Sequence, residues 1–128
     1  MRLLLDTQLL LWAAGEPDQL PAEARAMIED EGNQLIFSAV SLWETAFKQQ
    51  LGRKDMRADP RLLRRGLLDN GYLELPVTGA HVIAMESLPP LHGDPFDRML
   101  VAQAMAEGAA LITVDPLVAQ YHGPTRMV

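Results

Sequence analysis

The chain has 128 residues, 48% of them hydrophobic, carries a formal net charge of −6 and contains no cysteine. That length suits a single domain over residues 1–128. No run reaches the roughly 18 apolar residues of a membrane span, and the absence of cysteine fits a reducing cytoplasm. The acidic balance argues against a protein that coats nucleic acid with a basic surface, but leaves room for a nucleic-acid enzyme whose acidic site takes a divalent cation.

Arg2-Leu3-Leu4-Leu5-Asp6 is a short apolar run, as expected of a strand buried on both faces. Asp6 breaks it too early for a signal peptide, and no clean cleavage site follows. Thr7 can cap a helix carrying Leu9, Leu10, Leu11 and Trp12, which stops near Gly15-Glu16-Pro17. A second helix is expected over Pro21 to Asp30, then a turn at Gly32-Asn33 and a strand at Gln34 to Ser38. Ser41 is expected to cap the helix through Gln50, with Glu44 at the capping-box spacing and Gly52 as the stop. The stretch Arg53 to Arg65 holds Arg53, Lys54, Arg57, Arg61, Arg64 and Arg65, and from Asp59 it reads as a helix ending near Gly71.

Tyr72 to Leu75 reads as a short strand, Gly79 to Ser87 as a helix and Leu88-Pro89-Pro90-Leu91 as a loop. Asp94 and Pro95 suit the cap and first position of a helix over Phe96 to Glu107, which Gly108 ends. Ala110 to Val114 is a strand ending at Asp115-Pro116, and Thr125 to Val128 could be an edge strand. There is no internal repeat or linker. Alternating strands and helices imply an α/β fold with a parallel sheet covered on both faces. Ligand sites in such sheets lie beyond the carboxyl ends of the strands.

Four carboxylates map to that edge. Asp6 ends the first strand, Asp115 follows the last clear one, and Glu44 is expected in the first turn after the second. Asp97 lies in the first turn of the helix before the last clear strand, and a right-handed crossover brings that start to the same edge. On a wheel of roughly 100° per residue, Leu100, Val101, Ala104 and Met105 fall within about 80° of Asp97. Its carboxylate therefore faces the core, which is costly unless something pairs with it. Clustered anions raise one another's pKa unless a cation is bound. Oxygen ligands suit Mg²⁺ or Mn²⁺, and such sites activate water for in-line attack on phosphoryl groups.

Each acid also has a local reading. Asp6 can cap a helix with Thr7. Glu44 can close a box with Ser41 or pair with Lys48. Asp97 can sit on the helix dipole, and Asp115 can be a turn residue before Pro116. Together the four local readings require a coincidence of placement, which shifts the weight to a site. Thr113 could orient a metal-bound water, though a strand threonine needs no function; Ser38 could do likewise but reads more readily as a cap or turn residue, and Arg98 could contact a phosphate or balance the acids. His92 reads as a loop hydrogen-bonder. Trp12, Trp43 and Phe47 read as core or partner-interface residues.

Four stretches carry a resemblance to a known family: Leu3-Leu4-Leu5-Asp6-Thr7; Ser38-Ala-Val-Ser41-Leu-Trp43-Glu44 with Lys48 and Gly52; His92-Gly-Asp94-Pro-Phe-Asp97-Arg98 with Ala102-Gln103-Ala104; and Leu111-Ile-Thr113-Val-Asp115. From Met1 to about Tyr121 the chain resembles PIN-domain ribonucleases, specifically the VapC-like toxins of type II toxin–antitoxin systems. The resemblance implies a PIN-like three-layer α/β/α sandwich around a mainly parallel sheet of four or five strands. It implies a Mg²⁺ or Mn²⁺ site built from Asp6, Glu44, Asp97 and Asp115, and endonucleolytic RNA cleavage leaving 5′-phosphate and 3′-hydroxyl ends. It also implies a homodimer, and an antitoxin whose tail occupies the site or the groove beside it. The family often has a basic residue where this chain has Gly93, which removes one phosphate contact and no metal ligand.

Other classes fit less well. A receiver domain wants paired acids after the first strand and a lysine after the last, but Thr7 follows Asp6 and Pro116 follows Asp115. A haloacid-dehalogenase-like phosphatase needs Asp-x-Asp, which Asp6-Thr7-Gln8 does not supply. A non-catalytic PIN-like module that binds RNA or protein would be expected to lack an acid, and none is missing.

Overall fold

The apolar runs condense into one parallel sheet. In the computed structural model, which describes residues 1–52 and 58–128, the strands are β1 (Arg2–Leu5), β2 (Gln34–Ser38), β3 (Leu73–Leu75), β4 (Ala110–Thr113) and β5 (Thr125–Met127). Their order is β3-β2-β1-β4-β5, and every neighbouring pair is parallel. The helices are α1 (Thr7–Gly15), α2 (Ala22–Glu29), α3 (Ala39–Gln50), α4 (Pro60–Asp69), α5 (Gly79–Ala84) and α6 (Pro95–Glu107). Short 3₁₀ turns at Pro17–Gln19 and Val118–Gln120 add to the predicted elements, and the helix expected over Gly79 to Ser87 finishes as a third, at Met85–Ser87. Arg53, Lys54 and Arg57 of the predicted basic stretch lie outside the described residues. No helix among the described residues is long and apolar enough to cross a membrane.

Successive side chains of a strand point to opposite faces, so each central strand feeds two cores. Leu3, Leu5, Phe37 and Ile112 face α1, α2 and α4, where they meet Leu9, Leu10, Ala24, Leu63 and Leu67. Leu4, Ile36 and Leu111 face the other way, against Leu100, Val101 and Ala104 of α6 with Leu88 and Tyr121. The result is a three-layer α/β/α sandwich. Each fully buried aliphatic side chain contributes about 1.5–3 kcal/mol by leaving water. The middle strand β1, with Leu3, Leu4 and Leu5 at 1% exposure or less, anchors both layers. Helix α3 contacts α1, α4 and α6. Its Val40 enters one core while Leu42 packs against the other.

The helix ends position the site, and α1 and α3 each use the earlier of two capping candidates. Asp6, rather than Thr7, caps α1: its Oδ1 accepts from Leu9 N at 2.9 Å. Ser38, not Ser41, caps α3, accepting from Val40 N at 3.0 Å. The helix therefore starts three residues earlier than the capping-box spacing suggests. Glu44 falls in its second turn, one turn away from the capping role. The start of α6 is as predicted, with Asp94 Oδ1 accepting from the amides of Phe96 and Asp97 and Pro95 following. Gly108 ends it at φ 64°, a left-handed conformation that favours glycine.

The layered packing makes a direct prediction. Phe37, on β2 beside the middle strand, is completely buried, so Phe37→Ala should cost about 3–5 kcal/mol. Urea unfolding measures this, and a loss below about 1 kcal/mol would contradict the packing described.

Candidate metal centre

Strands β2 and β3 lie to one side of β1, and β4 and β5 to the other. The chain thus changes winding direction between β1 and β4, and a crevice opens there at the carboxyl ends of the strands. A pocket of about 450 Å³ occupies that place. Asp6, Glu44, Asp94, Asp97 and Asp115 line it, with Lys48 and His92 among the other lining residues. The four acids expected at one edge do converge, and Asp94 joins them.

Asp6 is the most firmly held. Its backbone N–H donates to the Ile112 carbonyl at 3.0 Å, continuing the β1–β4 ladder by one residue. The Thr113 hydroxyl donates to Asp6 Oδ2 at 2.6 Å, and Val114 N donates to the same oxygen at 3.3 Å. Thr113 Oγ1 also accepts from the Asp115 amide at 3.0 Å. One buried hydroxyl therefore ties the acid after β1 to the acid after β4. Asp115 Oδ1 accepts from Leu117 N at 2.9 Å, which shapes the turn beyond β4.

Glu44 reaches the pocket from α3. It is 4% exposed. Its Oε1 accepts from the Thr7 hydroxyl at 2.7 Å, and its Oε2 from Lys48 Nζ at 2.5 Å. Thr7 Oγ1 also lies 2.9 Å from Ser41 Oγ, so Thr7, the first residue of α1, holds α3 in place. The three-residue spacing that suggested a cap instead puts Ser41 and Glu44 on one helix face toward Thr7.

Asp97 enters from α6. His92 Nε2 lies 2.8 Å from its Oδ2. His92, Asp94 and Asp97 offer ligand atoms within 4.8 Å of one another. His92 is the loop hydrogen-bonder the sequence suggests, but its partner is a site acid, and neither it nor the pocket-lining Asp94 and Lys48 was expected in the site. A loop histidine shows no periodicity, and the available signal was its place five residues before an inward-facing aspartate. Phe96 fixes the relation of α6 to α3, packing edge-on to Trp43 at 4.7 Å between ring centroids and tilted to Phe47 at 5.7 Å.

Burial dominates the electrostatics. It raises the Asp6 pKa, opposed by hydrogen bonds from Thr113, Leu9 and Val114 and reinforced by Glu44. Asp97 is pushed up to about 6, first by burial and then by the charges of Asp94 and Glu44, against the opposing His92 contact. Burial opposes the charge of Lys48, but the Glu44 hydrogen bond and the charges of Glu44, Asp94 and Asp97 prevail and raise its pKa. Carboxylates whose charge is costly in the protein alone suit a bound divalent cation, which offsets that cost. Among the described residues, His92, Asp94 and Asp97 are the group whose ligand atoms already lie close enough to share one ion; carboxylate oxygens are the hard donors that Mg²⁺ or Mn²⁺ prefers, and an imidazole favours Mn²⁺ of the two.

The remaining candidates lie outside the pocket lining. Arg98 donates to the Pro89 carbonyl at 3.0 Å and the Tyr121 hydroxyl at 2.8 Å, bracing the loop that carries His92. The Ser38 hydroxyl donates to Gln103 Oε1, beneath the site rather than in it. Trp43 and Phe47 are exposed on α3, at 59% and 44%.

Comparison with known proteins shows the family of the chain. The family model of the PIN domain matches residues 3–122, and the chain belongs to that family. Ribonuclease VapC22 of Mycobacterium tuberculosis (strain ATCC 25618 / H37Rv) is 29% identical over 122 residues, covering 94% of this chain and 92% of that protein. Among solved structures, VapBC2 from Rickettsia felis bound to a DNA fragment from their promoter superposes with a TM-score of 0.70 at 15% identity, covering 99% of this chain and 98% of the other. VapBC-1 from nontypeable Haemophilus influenzae gives 0.62 at 17% identity, covering 100% and 97%. At those identities the two structures speak to the fold alone, and they share it from end to end.

The site yields two expectations. Thr113→Val keeps the strand and the volume but removes the hydroxyl that joins Asp6 to Asp115. Mn²⁺ affinity by calorimetry should fall about 10–100-fold, as for other outer-shell partners, and an unchanged affinity would contradict the role assigned to this hydroxyl. The second concerns pH in metal-free buffer. Because the Asp97 pKa is raised from 3.8 to about 6, the native state binds more protons than the unfolded chain in that interval. Its contribution to stability is therefore lost as pH rises through the window. Asp97→Asn should gain stability relative to wild type between pH 4 and pH 6. Parallel pH–stability curves for the two proteins would contradict this.

Proposed function

We propose that this protein is a metal-dependent endoribonuclease of the cytoplasm, the toxin of a type II toxin–antitoxin pair. The observation that carries the reading is the convergence of Asp6, Glu44, Asp97 and Asp115 on one pocket in a chain of the PIN-domain family. The similarity to Ribonuclease VapC22 supports the choice of RNA, and the likeness to VapBC structures supports a cognate antitoxin.

In this reading Asp6 and Asp97 hold Mg²⁺ or Mn²⁺ directly, with Asp115 and Glu44 as direct or water-mediated ligands. A divalent cation so held supplies Lewis acidity toward water and phosphoryl oxygens. The chain's own residues do the rest. Thr113 aims the Asp6 carboxylate, whose Oδ1 is already fixed by the α1 amide. His92 orients Asp97 by its hydrogen bond and closes the loop over the start of α6. The Thr7 hydroxyl holds Oε1 of Glu44. Water is the nucleophile in hydrolysis of the phosphodiester.

In this reading the antitoxin's tail occupies the acidic pocket or the groove beside it. The exposed Trp43 and Phe47 of α3, with Leu51 at its C-cap, form an apolar stripe, which suits the homodimer.

The test is cleavage of cellular RNA by the purified protein. Asp6→Asn and Asp97→Asn should each lower the Mg²⁺- or Mn²⁺-dependent rate at least about 1,000-fold, since removing a metal ligand takes away most of the metal's stabilisation, with circular dichroism unchanged. Excess Mn²⁺ should raise the melting temperature of the wild type. Wild-type rates in either variant would refute the site. RNA binding without cleavage by the wild type would favour a non-catalytic binding module.

A further inference from the structure

Lys48 stands out among the groups around the acidic pocket. Five carboxylates line it, and Lys48 is the one lysine or arginine lining it among the described residues. A phosphodiester entering this pocket adds another negative charge. Five acids outweigh a single divalent cation, so the approach of an anion calls for fixed positive charge beside the metal ligands. Lys48 is built to supply it. It sits one turn after Glu44 on α3, the favourable order for an acid–base pair, and its Nζ lies 2.5 Å from Glu44 Oε2. The pair is largely sheltered, with 19% of the Lys48 side chain and 6% of the Glu44 side chain exposed. An exposed ion pair of this spacing would contribute little. Here the carboxylate is buried, and the Thr7 hydroxyl holds its other oxygen. An ammonium carries three donors, and Glu44 takes one of them while orienting the group toward the pocket.

We propose that Lys48 binds the phosphodiester of the RNA substrate at the site, donating to a non-bridging phosphate oxygen, and that Glu44 and Thr7 hold it in position to do so. The proposal rests on the nuclease reading above. It gives Glu44 a second task, that of steering an ammonium, beyond its contribution to the metal site.

The experiment uses the full chain with Lys48→Met, Lys48→Gln and Lys48→Arg, each checked by circular dichroism. The probe is a random-sequence pool of single-stranded RNA. Binding is followed by fluorescence anisotropy in Ca²⁺ over a series of KCl concentrations, cleavage is followed in Mn²⁺, and Mn²⁺ affinity is measured by calorimetry. Each phosphate contact on a single strand contributes about 0.7 to the slope of log affinity against log salt. Lys48→Met and Lys48→Gln should lower the slope by about that amount and reduce cleavage at subsaturating RNA about 100-fold, with Mn²⁺ affinity retained or increased. Lys48→Arg should restore the slope. An unchanged slope in the Met and Gln variants would overturn the proposal, and so would a fall in Mn²⁺ affinity that matches the fall in cleavage, since Lys48 would then only prop Glu44. Failure of the nuclease reading looks different: the wild type would not cleave the pool in Mn²⁺ whatever the variants do to the salt slope.

Discussion

Two carboxylates that the fold buries govern this molecule. Asp6 and Asp97 are placed where the loss of water makes their charge costly, and their neighbours Glu44 and Asp94 add to the cost. Apolar side chains in these places would avoid that cost. The presence of these carboxylates at the end of a parallel sheet makes sense when a divalent cation completes the site. Thr113, Thr7 and His92 are then its supports, since each holds one acid in a fixed orientation.

The scaffold reaches that geometry through helix and strand ends rather than through loops. Asp6 is at once the last residue of a strand ladder, the cap of α1 and a site acid. Asp94 caps α6 and thereby sets the angle at which Asp97 enters the pocket. Beneath the site a second polar chain links the layers. Ser38 caps α3 and donates to Gln103 of α6, Gln103 Nε2 lies 3.3 Å from His81 Nδ1, and His81 Nε2 lies 2.9 Å from Glu107 Oε2. Every buried side-chain polar atom among the described residues has a partner. Such satisfied networks fix the register between α3 and α6, and that register sets the distance between Glu44 and Asp97.

The strands were legible because buried parallel strands are continuous apolar runs with abrupt ends, as at Leu3-Leu4-Leu5 before Asp6 and Leu111-Ile112 before Thr113. The inward direction of Asp97 was legible because helical periodicity fixes azimuth. The start of α3 was not. Ser38 and Ser41 are both good caps, and local spacing favoured Ser41. Tertiary contacts decided otherwise, since Gln103 from a helix 65 residues away engages Ser38. His92 was hidden for a related reason: its role depends on a loop folding back onto the start of α6, and no repeat in the sequence records that. Arg98 looked like a phosphate contact, but its guanidinium reaches the Pro89 carbonyl and Tyr121, residues whose proximity only the fold creates.

The most direct test of the account is anomalous diffraction from crystals soaked in Mn²⁺. The account predicts a peak in the pocket at the carboxyl ends of β1 and β4, about 2.1 Å from carboxylate oxygens of Asp6 and Asp97, a distance typical of a small divalent cation. A pocket without a peak at saturating Mn²⁺, or an ion held away from both aspartates, would contradict it.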